Sequence, residues 1–160
     1  MDALNALLLQ HARTGVQINK LLTTLKKDAS ARYFTYVLLL QRGNIYVGSS
    51  ESIYKRLLDH WTMSPSSSLW VKEHGPIDRI LEISVNSSAD DERYKTLEYM
   101  SIFGHQKVRG GGWCRVSPTG PPTDLTDFTR ERSDFQYLSR KEIDAIMSEV
   151  RALAQDLAEG

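Results

Sequence analysis

The chain of 160 residues carries 20 Lys and Arg against 20 Asp and Glu, so its formal net charge is zero. That length suits one hydrophobic core and leaves little for a second independent one. Neutrality argues against a protein that grips nucleic acid by bulk charge along an extended site, and the lone Cys114 excludes an internal disulfide and a multi-thiolate zinc centre.

In chain order, Leu4, Leu8, Ile18, Leu22 and Leu25 recur at three- and four-residue steps and predict an N-terminal helix. The first ten residues lack a basic leader with a cleavage site, and no stretch approaches the roughly 18 apolar residues of a membrane span, so a soluble intracellular protein is expected. Residues 33–40 begin aromatic and β-branched and become continuously apolar, as in a buried strand, and 44–48 read as the return strand of a hairpin with Gly43 in the turn. Ser49 or Ser50 is the expected cap of a helix whose apolar side is Ile53, Leu57, Leu58 and Trp61, and whose Arg56 and His60, four apart, share a face.

A Ser/Pro loop over 62–68 and a short helix over 69–73 lead to a third strand over 77–85, where apolar and polar residues roughly alternate. Residues 89–103 predict a helix, with Asp90, Asp91 and Glu92 in the first turn, where the macrodipole favours acids, and Gly104 past its end. Glu98 lies on it. Glycine-rich 107–115 and proline-rich 117–127 read as loops, and Ser139 with Glu142 fits a capping box that opens a last helix carrying Ile143, Ile146, Val150, Leu153 and Leu157.

The expected fold is therefore a small α/β (α+β) domain: a three-stranded antiparallel sheet flanked by helices, with extra helices at both termini. Its expected organisation is a helical extension over 1–32, a central domain over 33–116, and over 117–160 a Pro-rich connector and a helix packed on that domain or on a partner subunit. A homodimer through the terminal helices is one arrangement these stripes allow.

The chemistry-bearing residues crowd the middle. Hydrolysis of a phosphodiester needs an activated water, a counter-charge for the phosphoryl oxygens and relief of charge on the leaving oxygen. Arg56 offers a forked, permanent cation, Glu98 a hard carboxylate suited to Mg²⁺, and Tyr46 a proton acceptor once a nearby cation favours its ionised form. Taken singly, each has a plainer reading: paired tyrosines as packing, the Arg56/His60 pair as a solvated helix face, Glu98 as one acid among many.

Taken together, Phe34-Thr35-Tyr36, then Tyr46-Val47-Gly48, then Arg56, His60 and Glu98 resemble the GIY-YIG nuclease family in order and spacing. The resemblance implies a Mg²⁺-dependent (or Mn²⁺-dependent) endonuclease acting on DNA, with RNA left open, and products bearing 5′-phosphate and 3′-hydroxyl ends. It implies that Tyr36, Tyr46, Arg56, His60 and Glu98 are catalytic, with Tyr46 as general base and Glu98 as metal ligand. Lys55, Lys107, Arg109, Trp113 and Arg115 are the expected nucleic-acid contacts, through charge and, for Trp113, stacking. The alternatives are a catalytically weak or inactive nucleic-acid-binding module of the same fold, and an interaction protein that works through its terminal helices.

Overall fold

The computed structural model describes residues 23–24, 26–28, 33–86, 90–111 and 135–159. The N-terminal stripe up to Leu22, the proline-rich connector, Trp113 and Arg115 lie outside these residues.

Strand β1 (Tyr33–Leu39) turns through a 3-10 segment (Gln41–Gly43) into β2 (Ile45–Ser50). Gly43 takes the positive φ expected of it, at 74°, and Arg42 shares the left-handed region at 59°. Asn44 secures the turn by donating its side-chain N–H to the Gln41 carbonyl at 2.9 Å. Antiparallel pairing sets Tyr36 opposite Gly48 and Leu38 opposite Tyr46. β3 (Arg79–Asn86) pairs antiparallel on the other side of β1, with the register shifting between Val37 and Leu38. β1 is thus central, which is why it is apolar on both faces.

The expectation of three antiparallel strands is corrected here. The sheet has five strands among the described residues, in the order β4-β2-β1-β3-β5, and it is mixed: β4 (Val108–Gly110) runs parallel to β2, and β5 (Gln136–Tyr137) antiparallel to β3. Strands of three and two residues are too short to carry a period-two signal, so the first read as a glycine-rich loop.

Alternation along β1 sends Tyr36 and Leu38 to one face and Val37 and Leu39 to the other. On the first face lie α1 (Ile53–Thr62), α2 (Leu69–His74) and α4 (Arg140–Glu159), which bury Leu57, Leu58, Trp70, Ile146, Val150 and Leu153 in one cluster with the tyrosines. On the second face lies α3 (Asp90–Phe103), whose Met100 packs with Val37, Ile45, Val47 and Val108.

The helix ends show local and distant control. The capping box forms: Glu142 accepts from the Ser139 backbone N–H at 2.9 Å, and the Ser139 hydroxyl accepts from the Glu142 N–H at 3.1 Å. The cap expected of Ser49 or Ser50 does not form, because both belong to β2 and Ser52 is the N-cap, without a side-chain bond. Asp28 takes the role instead. Its two carboxylate oxygens accept from the backbone N–H groups of Tyr54 and Lys55 at 3.1 and 3.0 Å, satisfying α1 from 26 residues upstream. Among the described residues, no helix is long and apolar enough to cross a membrane.

Candidate active site

The hairpin register makes Tyr36 and Tyr46 diagonal neighbours on one face, with ring centroids 6.4 Å apart. α1 crosses that face and lowers His60 between them: its ring centre lies 5.6 Å from that of Tyr36 and 5.2 Å, edge-on, from that of Tyr46. Gly48 makes room for this. A Cβ there would collide with the Tyr36 hydroxyl, so the glycine answers to close approach and not to a special φ.

The Tyr36 hydroxyl shares a 2.7 Å hydrogen bond with His60 Nε2, and His60 Nδ1 shares one of 2.8 Å with the Ser67 hydroxyl. Tyr36, His60 and Ser67 therefore form a buried polar line from the sheet to the loop after α1. Burial, reinforced by the charge of Arg56, pulls the His60 imidazole down to about 3, so the ring is neutral at physiological pH. As a neutral ring it bonds the Tyr36 hydroxyl through one nitrogen and the Ser67 hydroxyl through the other. Ser67 is a partner that sequence reading missed, since the contact depends on how the Ser/Pro loop folds back.

Arg56, one turn before His60, donates through Nη1 to the Ser66 carbonyl at 2.6 Å and has Asp59 at 3.9 Å. Its guanidinium also reaches the Tyr36 phenol. Burial disfavours the arginine's charge, but the two phenols and Asp59 more than restore it, and its pKa is raised. Burial drives the Tyr36 phenol well above the usual tyrosine value, with the nearby Tyr46 adding to the rise, so Tyr36 holds its proton at neutral pH. Tyr36 serves as a hydrogen-bonding and orienting group. Both phenols are buried, Tyr46 slightly less completely, at 8% exposure against 0%.

Four of the five residues expected to act together thus meet. The fifth, Glu98, has Lys95 as its partner. α3 packs on the opposite face of the sheet, and there Glu98 accepts from Lys95 Nζ at 3.2 Å. The same ammonium lies 3.0 Å from Glu82 and donates to the Tyr137 hydroxyl at 2.6 Å. Glu92, in the first turn of α3, accepts from the Ser49 hydroxyl on β2, and its charge adds to the rise of the Tyr36 phenol. The sequence placed Glu92 as a macrodipole acid; its proximity to Tyr36 follows only from the way α3 meets β2.

The expected nucleic-acid contacts disperse. Arg109 is corrected outright: it is buried, with its guanidinium 4.5 Å from the Trp70 ring centre and donating to the carbonyls of His105 and Val108 at 2.6 and 2.9 Å. An arginine in a three-residue strand beneath a helix packs inward, where the indole face and carbonyls replace water. Lys55 pairs with Asp59 at 3.5 Å, and the exposed Lys107 donates to the Arg42 carbonyl at 3.2 Å. Trp113 and Arg115 lie outside the described residues.

A divalent cation, implied by the resemblance, fits Glu92 and Glu98 of α3 unequally. Glu98 is already compensated by Lys95, which a metal would have to displace. Glu92 is half-buried and accepts from the Ser49 hydroxyl, so it fits a hard cation that takes one carboxylate and keeps its waters. Among the described residues, no three His, Cys, Asp or Glu side chains gather into a metal-holding group. Comparison of the chain with protein-family models, with curated proteins and with solved structures finds no match.

Proposed function

We propose that this chain is a GIY-YIG-type endonuclease that hydrolyses DNA phosphodiester bonds with Mg²⁺ or Mn²⁺, leaving 5′-phosphate and 3′-hydroxyl ends. The observation that carries the reading is the convergence of Tyr36, Tyr46, Arg56 and His60, which are spread over 25 residues of sequence, into one polar cluster between β1, β2 and α1. Arg56 pairs with a nonbridging oxygen and stabilises the charge that grows on the phosphoryl group. Tyr46, having given its own proton to solvent and with the Arg56 guanidinium as counter-charge, accepts the proton of the attacking water; Tyr36 and neutral His60 hold Arg56 and the water in register. The bound cation would neutralise the leaving oxygen, held by Glu92 in preference to Glu98.

The test is cleavage of duplex, single-stranded, branched and RNA substrates in Mg²⁺ or Mn²⁺ by the parent and by Arg56→Ala, Tyr46→Phe, Glu92→Gln and Glu98→Gln. Arg56→Ala is expected to lose on the order of 100-fold or more. Glu92→Gln is expected to lose metal-dependent activity, and Glu98→Gln to retain it. Variants at Arg56 and Tyr46 that cut as fast as the parent overturn the assignment.

One observation favours a second reading. Glu98 stands where the family resemblance sets its metal ligand, yet it is tied to Lys95 on the far face. A chain that binds branched or single-stranded nucleic acid without cutting it, in either metal, is a recognition module of this fold.

A further inference from the structure

We propose that Arg79, Arg140 and Arg151, between the start of β3 and α4, form a second phosphate-binding site that holds the backbone of a nucleic acid. A cavity of about 290 Å³ opens between the start of β3 and α4, lined by Arg79, Ile80, Arg140, Asp144, Met147 and Arg151. Three guanidiniums face one carboxylate, a local excess of positive charge in a chain of zero formal net charge. The floor is apolar, since Ile80 and Met147 are buried, and the four charged residues form an exposed rim.

The rim is built, not merely crowded. Arg140 donates to the Ile80 carbonyl at 2.7 Å and, through Nε and Nη2, to Asp144 at 3.0 and 2.9 Å. Those bonds use three of its five N–H donors and fix the plane of the guanidinium, leaving two for a ligand. Arg151 follows eleven residues later on the same helix and lies 5.6 Å from the centre of the Trp61 ring, a contact that orients the guanidinium without using its N–H groups. Arg79 opens β3, opposite Leu39. All three cations are arginine, whose fork matches a pair of phosphate oxygens. The choice of a nucleic-acid backbone as occupant rests on the nuclease reading: of the cations expected to hold DNA that lie among the described residues, Lys55 is paired with Asp59 and Arg109 is buried, so this rim joins the exposed Lys107 as a cationic surface for the backbone. Such a contact positions the duplex and carries no sequence information.

The experiment measures binding of the full chain to a labelled duplex by anisotropy, without divalent metal, between about 50 and 200 mM salt. Arg79→Gln/Arg151→Gln is expected to reduce the slope of log K against log salt by about 1.8, at roughly 0.9 for each phosphate that is no longer neutralised. Asp144→Asn, which removes the competing carboxylate, is expected to tighten binding. Circular dichroism confirms that these surface variants fold. A double variant with the parental slope, or an Asp144→Asn that binds no better, overturns the proposal even if Arg56→Ala abolishes cleavage and the nuclease reading stands. A changed slope in a protein that cuts nothing supports this site and removes the catalytic one. Inorganic pyrophosphate, followed through the arginine Nε–H resonances, separates the sources: occupation of the site by pyrophosphate that duplex DNA fails to displace would assign it to free phosphates and overturn the nucleic-acid form.

Discussion

His60 lies between two phenol rings with almost no contact with solvent, and its imidazole titrates near 3. In the unfolded chain it takes up a proton near pH 6.5, so between those values the unfolded state binds more protons than the folded one. Stability contributed by the neutral ring is therefore complete above pH 6.5 and declines as pH falls, by about 1.4 kcal/mol per unit. Urea unfolding at pH 6 and pH 5 is expected to show this decline in the parent and to lose it in His60→Gln; equal slopes would show that the ring is charged in the fold. The same neutrality bears on the proposed chemistry, because a histidine held uncharged beside Arg56 spares that arginine a like charge.

At the scale of elements, α3 is the helix whose role the sequence described least. It has no single apolar stripe, and Lys95, Thr96 and Glu98 on it are buried beside Leu97 and Met100. What makes this tolerable is a shared charge. The Lys95 ammonium serves Glu82 on β3, Glu98 on its own helix and the hydroxyl of Tyr137 on β5, and it lies 4.6 Å from the ring centre of Phe135. Its pKa is raised, since the tyrosine bond and the two carboxylates outweigh the burial that opposes its charge. Removing one partner from such a group leaves the others desolvated. Lys95→Met is expected to destabilise the protein by about 3 kcal/mol in urea denaturation. A loss near zero would mean that Glu82 and Glu98 are solvated in the fold. Double substitution to Lys95→Met/Glu98→Gln should recover part of it.

At the scale of the whole molecule, α4 is part of the core and not an appendage. Ile143, Ile146, Met147, Val150, Leu153 and Leu157 are buried against α1 and the sheet face that holds the tyrosines. Side chains buried in this way contribute roughly 1.5–3 kcal/mol each. A chain cut before Ser139 is accordingly expected not to fold, and Val150→Ala, at a position with no solvent exposure, to lose about 1–3 kcal/mol from its transfer energy and the void it leaves. Truncation that leaves a cooperative thermal transition would refute this. Because α4 backs the cluster through α1, damage there reaches Arg56 and His60 without touching either.

The sequence by itself determined what neighbours a few residues apart decide. The hairpin that sets Tyr36 against Gly48, the common face of Arg56 and His60, the limits of α3 and the Ser139/Glu142 box all follow from turn residues, periodicity and capping. Tertiary structure alone decided which charges meet. Asp28 caps α1 from a distance, Arg109 folds under Trp70, Lys95 pairs with Glu98 and Glu82, and Glu92 meets Ser49 of β2. The physical reason is that hydrophobic period specifies a face while saying nothing of the partner across it. A charge settles wherever packing offers it a counter-charge and removes its water, and for this chain those counter-charges come from elements far apart in sequence.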